Sequence, residues 1–109
     1  MPDPITIADF TKVELRTAKI LEAKPHPNAD KLLVLQVEVG DQRKQICAGI
    51  KQHYSPDQLV GKTIIVVNNL QTAVLRGEES QGMLLAASDE NGVVLLRPER
   101  EMASGCVVK

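Results

Sequence analysis

The stretch VELRTAKILEA, residues 13–23, alternates as a strand does, with Val13, Leu15 and Thr17 on one face. It then changes phase, and Ala18 and Ile20 are the next apolar pair. Alternation at period two marks a strand that lays one face on a core. A phase change inside so long a strand predicts a β-bulge, which bends the strand around a barrel.

The flanking sequence supplies partners for it. Residues 32–39 are apolar on both faces at first and then alternate, and Gly40-Asp41 turns them back into 44–48. Residues 63–67 are a β-branched run suited to a buried strand. Residues 83–87 and 93–96 face each other across Asp89-Glu90-Asn91-Gly92, a hairpin signal, and 106–108 form a last short strand after Gly105. Two short helices are expected. Thr6 caps the first, with Asp9 in its first turn and Ile5 and Phe10 placed as a hydrophobic staple. Ser55 caps the second, with Pro56 at its first position, Gln58 as reciprocal acceptor, Tyr54 and Leu59 as staple, and Gly61 ending it. The expected class is therefore all-β. A five-stranded OB-fold barrel, with short helices and a C-terminal β extension, fits a helical insert between the third and fourth strands; a small β-sandwich is the second choice. Residues 1–4 read as a linker-like segment and residues 5–109 as one domain.

Composition narrows the function. The 109 residues carry 13 basic and 14 acidic side chains, a net charge of -1, which excludes a polybasic binder held by charge alone. Cys47 and Cys106 are too few and too far apart for a metal site and read as free thiols. The N-terminus is not a signal peptide and no apolar run reaches the ~20 residues of a membrane span, so a cytoplasmic protein is expected, with no cofactor, metal or membrane partner. His26 and His53 lie in loops with no cysteine or serine at motif spacing, and no phosphate loop or dinucleotide fingerprint is present. The chain is not expected to be an enzyme.

Binding is the better class. Three polar segments interrupt the strands: 25–31, the pair Asn68-Asn69, and 75–83, which sets Arg76, Ser80 and Gln81 beside Gly77 and Gly82. Aromatic residues make up 2% of the chain, Phe10 and Tyr54 alone, too few for the stacking platforms that hold single strands. Folded RNA is read instead through phosphates and 2′-hydroxyls, a task for arginine, lysine, asparagine and serine.

Those segments also carry a resemblance. IADFTKVELRTAKI (7–20), HPNADKLLVLQVEVG (26–40), AGI (48–50), LVGK (59–62), NL (69–70) and LRGEESQGMLLAASD (75–89) resemble the tRNA-binding domain at the C-terminus of bacterial methionyl-tRNA synthetases and in related stand-alone tRNA-binding proteins. The combination of NADKL and RGxESQGM, in this order, makes the likeness specific, and it spans nearly the whole chain. The resemblance implies an OB fold acting as a homodimer, and binding of tRNA with little sequence preference. It implies an accessory role that raises the tRNA affinity of a methionyl-type synthetase, whose catalytic part is joined in cis or acts in trans. By position it implies Asn28, Lys31, Asn69, Arg76, Ser80 and Met83 as tRNA-binding residues, with Gly77 and Gly82 shaping the loop. At one place the chain departs from the family. Gln71-Thr72-Ala73-Val74 stand where the family usually has Lys-Pro and then a further lysine. A weaker or differently placed contact is expected there, with Lys24, Lys31, Arg43, Lys44 and Lys51 as substitutes if they converge. Two other roles remain in view. One is a dimerisation domain with little RNA affinity. The other is a secretion-chaperone-like protein binder, which would need an exposed apolar groove that the few expected surface hydrophobes do not advertise.

Overall fold

The computed structural model describes residues 2–109. The first two strands, β1 (Leu15–Pro25) and β2 (Leu33–Val39), run antiparallel, and β3 (Gln42–Ala48) continues the meander. β4 (Thr63–Val67) pairs with the other edge of β1, and β7 (Met83–Leu84) pairs with β4. The main path of the sheet is β3-β2-β1-β4-β7, five strands curled as expected from the sequence, and a sixth strand from the C-terminal segment joins it at β1. Its inner face carries Ala18, Ile20, Leu33, Leu35, Val37, Ile46, Ile64 and Val66, all buried. No helix among the described residues is long and apolar enough to cross a membrane.

The bend in β1 is real but displaced from the phase change. Ile20 pairs with Val37 and Glu22 with Gln36, so the extra residue is Leu21. Thr17 and Ala18 are both buried for another reason. The C-terminal segment crosses Thr17: its N–H donates to Cys106 O at 2.9 Å and its carbonyl accepts from Gly105 N–H at 2.7 Å. Its hydroxyl donates to Ala103 O at 2.8 Å and accepts from Cys106 N–H at 2.9 Å. That segment ends in β10 (Val107–Val108), which pairs with Leu15 and Arg16.

Both helices form at their expected caps. Asp9 N–H donates to Thr6 Oγ1 at 3.0 Å at the start of α1 (Ile7–Phe10), but Ile5 stays 68% exposed and the helix buries no residue, so the expected staple does not cover it. In α2 (Pro56–Leu59), Ser55 N–H donates to Gln58 Oε1 at 2.8 Å, Leu59 is fully buried, and Tyr54 packs against the core.

Two expectations need correcting. The strand expected at 83–87 is two strands. β7 stays with β4, whereas β8 (Ala86–Asp89) leaves to pair with β9 (Gly92–Leu95), the switch falling at Leu85, whose N–H donates to Ile65 O. The polar segment 75–83, expected to interrupt the strands, contributes instead to a hairpin of β5 (Ala73–Leu75) and β6 (Glu78–Ser80). β6 and Gln81 close the curl against β3. Gln81 N–H donates to Gln45 O at 2.7 Å, and Gln45 N–H donates to Gln81 Oε1 at 2.8 Å.

Two local arrangements lead to predictions. Gly105 has φ +81°, and a Cβ there would lie 2.7 Å from Gly40 Cα, backbone against backbone. Gly105→Ala is expected to destabilise the fold by about 2 kcal/mol or more, lowering Tm by roughly 10 °C in a thermal melt. Glu14 joins the entry of β1 to the end of β4. Its carboxylate accepts from Asn68 Nδ2 at 2.7 Å and from Arg16 Nε at 3.3 Å. The Asn68 bond, aided by Arg16 and Lys44, outweighs desolvation and holds the carboxyl below its usual range. A carboxyl lowered on folding adds stability above its unfolded pKa and loses it as pH falls. Glu14→Gln should therefore narrow the drop in Tm measured between about pH 5 and about pH 3.

Candidate nucleic-acid interface

The β1–β2 connection is bonded from within, His26 N–H donating to Leu32 O at 3.0 Å. His26, 4% exposed, accepts from Asn28 N–H through Nδ1 at 2.9 Å. That leaves the ring proton on Nε2, which donates to Leu75 O at 2.7 Å. The loop is thus tied to the β5–β6 hairpin. At the hairpin tip Arg76 has φ +54° and Gly77 φ +92°, the two left-handed positions of a primed two-residue turn. Glycine suits such a position, whereas arginine there costs roughly 1–2 kcal/mol. Asn28 Nδ2 reaches Arg76 O at 3.5 Å.

Loop and hairpin wall an open cleft of about 720 Å³, lined by Asn28, Asp30, Lys31, Val74, Leu75 and Arg76 among others. Lys31 and Arg76 are exposed. Lys51 joins the same end of the barrel, since its N–H donates to Lys31 O at 3.4 Å. Of the other cations named as substitutes, Lys44 Nζ donates to Asn68 O at 2.8 Å and Arg43 faces Glu22 at 3.4 Å, while Lys24 is exposed opposite Val34.

The remaining sequence candidates lie elsewhere. Asn69 spends its amide on the chain, accepting from Glu14 N–H at 2.9 Å and donating to Lys12 O at 2.7 Å. Met83 is exposed beside the β4 end, paired with Val67. Ser80 is buried, accepts from Cys47 N–H at 3.0 Å and donates to Gly82 O at 3.0 Å, so its hydroxyl is occupied. Gly82 permits close packing: a Cβ there would lie 2.9 Å from Val67 O. Sequence reasoning left His26 in a loop without a role; its signal was its place two residues before Asn28 in the segment already singled out. Cys47 and Cys106 are both free, and burial, aided by Glu78, pushes the Cys47 thiol up. Neither aromatic ring lines the cleft: Phe10 is on α1, and the Tyr54 hydroxyl accepts from Leu95 N–H at 3.1 Å.

A second groove, about 510 Å³, is apolar and lies between α1 and β10, lined by Ile7, Phe10, Val13, Leu15, Val107 and Val108 among others. Ile7 is 77% and Val107 61% exposed. The surface hydrophobes are thus more numerous than the sequence advertised.

Known proteins resemble this chain in sequence and fold. The profile of the family described as "Putative tRNA binding domain" matches residues 15–106. Methionine–tRNA ligase of Pyrococcus horikoshii is 47% identical over 105 residues, 96% of this chain and 14% of the ligase. That of Thermotoga maritima is 53% identical over 104 residues, 95% of this chain and 16% of the ligase. The chain therefore spans only 14–16% of the length of these curated relatives. Among solved structures, a MetRS-related protein from Pyrococcus horikoshii superposes with TM-score 0.92 at 31% identity, covering 99% of this chain and 100% of that one. The chaperone CsaA from Picrophilus torridus superposes with TM-score 0.91 at 30% identity, covering 97% and 100%. On its sequence and its fold, the chain belongs to the family of tRNA-binding domains that is also found in methionine–tRNA ligases.

Proposed function

We propose that residues 5–109 form a non-catalytic cytoplasmic module that grips folded tRNA with little sequence preference. In this reading it raises the tRNA affinity of a methionyl-type aminoacyl-tRNA synthetase, in cis or in trans. The observation that carries the reading is the meeting of Lys31 and Arg76 at a cleft with no aromatic ring, with Lys51 bonded beside Lys31 at the same end of the barrel. Cations on rigid backbone suit phosphates at fixed spacing, whereas unstacked bases would need rings. Met83, exposed at the β4 end, would extend the contact, while Asn69 holds the chain there through its own amide.

With two or three phosphates neutralised, the logarithm of tRNA affinity should fall against the logarithm of salt with a slope of about 2 to 3. Arg76→Ala and Lys31→Ala should each weaken binding and reduce the slope by about one. Ser80→Ala should instead lower Tm and leave the slope alone, because its hydroxyl bonds only the chain. Filter binding with total tRNA at graded salt measures the affinities and slopes, and a thermal melt measures the Tm of Ser80→Ala. Equal binding by wild type and both cation variants would refute the assignment.

We also infer that the apolar groove between α1 and β10 is covered by a second copy of the chain. α1 buries nothing of its own, and a symmetric pair would hide Ile7 and Val107 and double the rims. Sedimentation should show a particle of two chains, reduced to one by Ile7→Asp with Val107→Asp. The likeness to CsaA and the same groove favour a second reading, the holding of unfolded polypeptide. Suppression of aggregation of an unfolded reporter, lost in that double variant, would select it.

A further inference from the structure

The geometry points to His26 as the positioning residue of the tRNA rim, a clasp that holds the two cation-bearing loops in one geometry without touching RNA itself. This rests on the proposed function. His26 is the hub of a three-bond circuit. Its Nε2–H holds the Leu75 carbonyl at 2.7 Å, and its Nδ1 holds Asn28 N–H at 2.9 Å. Asn28 Nδ2 in turn reaches the Arg76 carbonyl at 3.5 Å. The first bond spans 49 residues of sequence. Both carbonyls that the circuit captures flank the strained end of the hairpin, where Arg76 sits at φ +54°. Freed from the circuit, that turn has a conformational reason to relax, and Arg76 would leave its spacing from Lys31. The ring is 4% exposed, so it is closed to a ligand and acts only through what it holds.

Two variants separate the bonds. His26→Gln places an amide N–H where Nε2 stood and keeps the bond to Leu75. His26→Asn places a carbonyl where Nδ1 stood, keeps the bond from Asn28 and releases the hairpin. Amide hydrogen exchange should quicken about tenfold on β5 and β6 in the Asn variant, remain near wild type in the Gln variant, and be unchanged on β2 in both. Binding of total tRNA should weaken about tenfold in the Asn variant, the scale of one misplaced charge-assisted bond. It should be rescued in the Gln variant. In an Arg76→Ala background the Asn substitution should weaken binding no further. Wild-type tRNA affinity in the Asn variant would overturn the inference, as would additive losses in the double variant or faster exchange spread evenly over β1, β2 and β4. A wild-type chain that binds no tRNA would instead bring down the proposed function, and the exchange pattern alone would then uphold or overturn the clasp.

Discussion

Both edges of β1 are taken, and one of them changes partner. From Leu15 to Lys19 one edge pairs with β4. The other pairs with β10 at Leu15 and Arg16 and with β2 from Lys19 onward. A strand that passes from one partner to another on the same edge has to bend, and the unpaired Leu21 accommodates the bend. The bend carries β2 and β3 over the core, so that residues 79–82 can close the curl from the other side. It also leaves a gap beside Thr17 that the C-terminal segment fills. There Gly105 meets Gly40 at a distance no side chain could share.

The same register sets the rim. Pro25 pairs with Leu33 and Leu33 with Ala48, so the β1–β2 connection and the chain leaving β3 emerge at one end. Lys31 and Lys51 become neighbours for that reason alone. The β5–β6 hairpin is bonded to this end through His26 and to β3 through Gln45 and Cys47. It is therefore braced on two sides, although every residue of β5 is exposed. Bracing of this kind lets a turn keep an arginine in a conformation that favours glycine.

Long apolar patterns were legible in the sequence; short polar ones were not. β2, β4 and both helix caps could be read because their signals are local: β-branched runs, alternation, and serine or threonine before an acceptor. β5 and β6 could not be read, since three residues hold no period and the Arg76-Gly77 turn lacks the usual asparagine or aspartate. The phase change at Thr17-Ala18 misplaced the bulge because burial of Thr17 comes from a segment some 86 residues away. No local pattern can report such cover. The candidate site divided in the same way. Asn28, Lys31 and Arg76 come together, whereas Ser80 and Asn69 bond the chain itself, a distinction that depends on partners distant in sequence.

In the proposed reading, the charge of the rim bears on what it would select. Lys31 and Arg76 share their cleft with Asp30, and Glu78 and Glu79 follow directly on the Arg76-Gly77 turn. A rim so balanced attracts a polyanion weakly at long range, in keeping with a net charge of -1. Its reward for a phosphate depends on position: beside Lys31 or Arg76 the contact is favourable, and a short distance away it meets a carboxylate. A flexible single strand loses entropy in holding its phosphates at those positions, and finds no ring on which to stack its bases. A folded RNA presents phosphates already spaced. The carboxylates and the missing aromatics thus act in the same direction. In the proposed reading, the absence of lysines from Gln71 to Val74 would reduce the strength of the contact while leaving that preference intact.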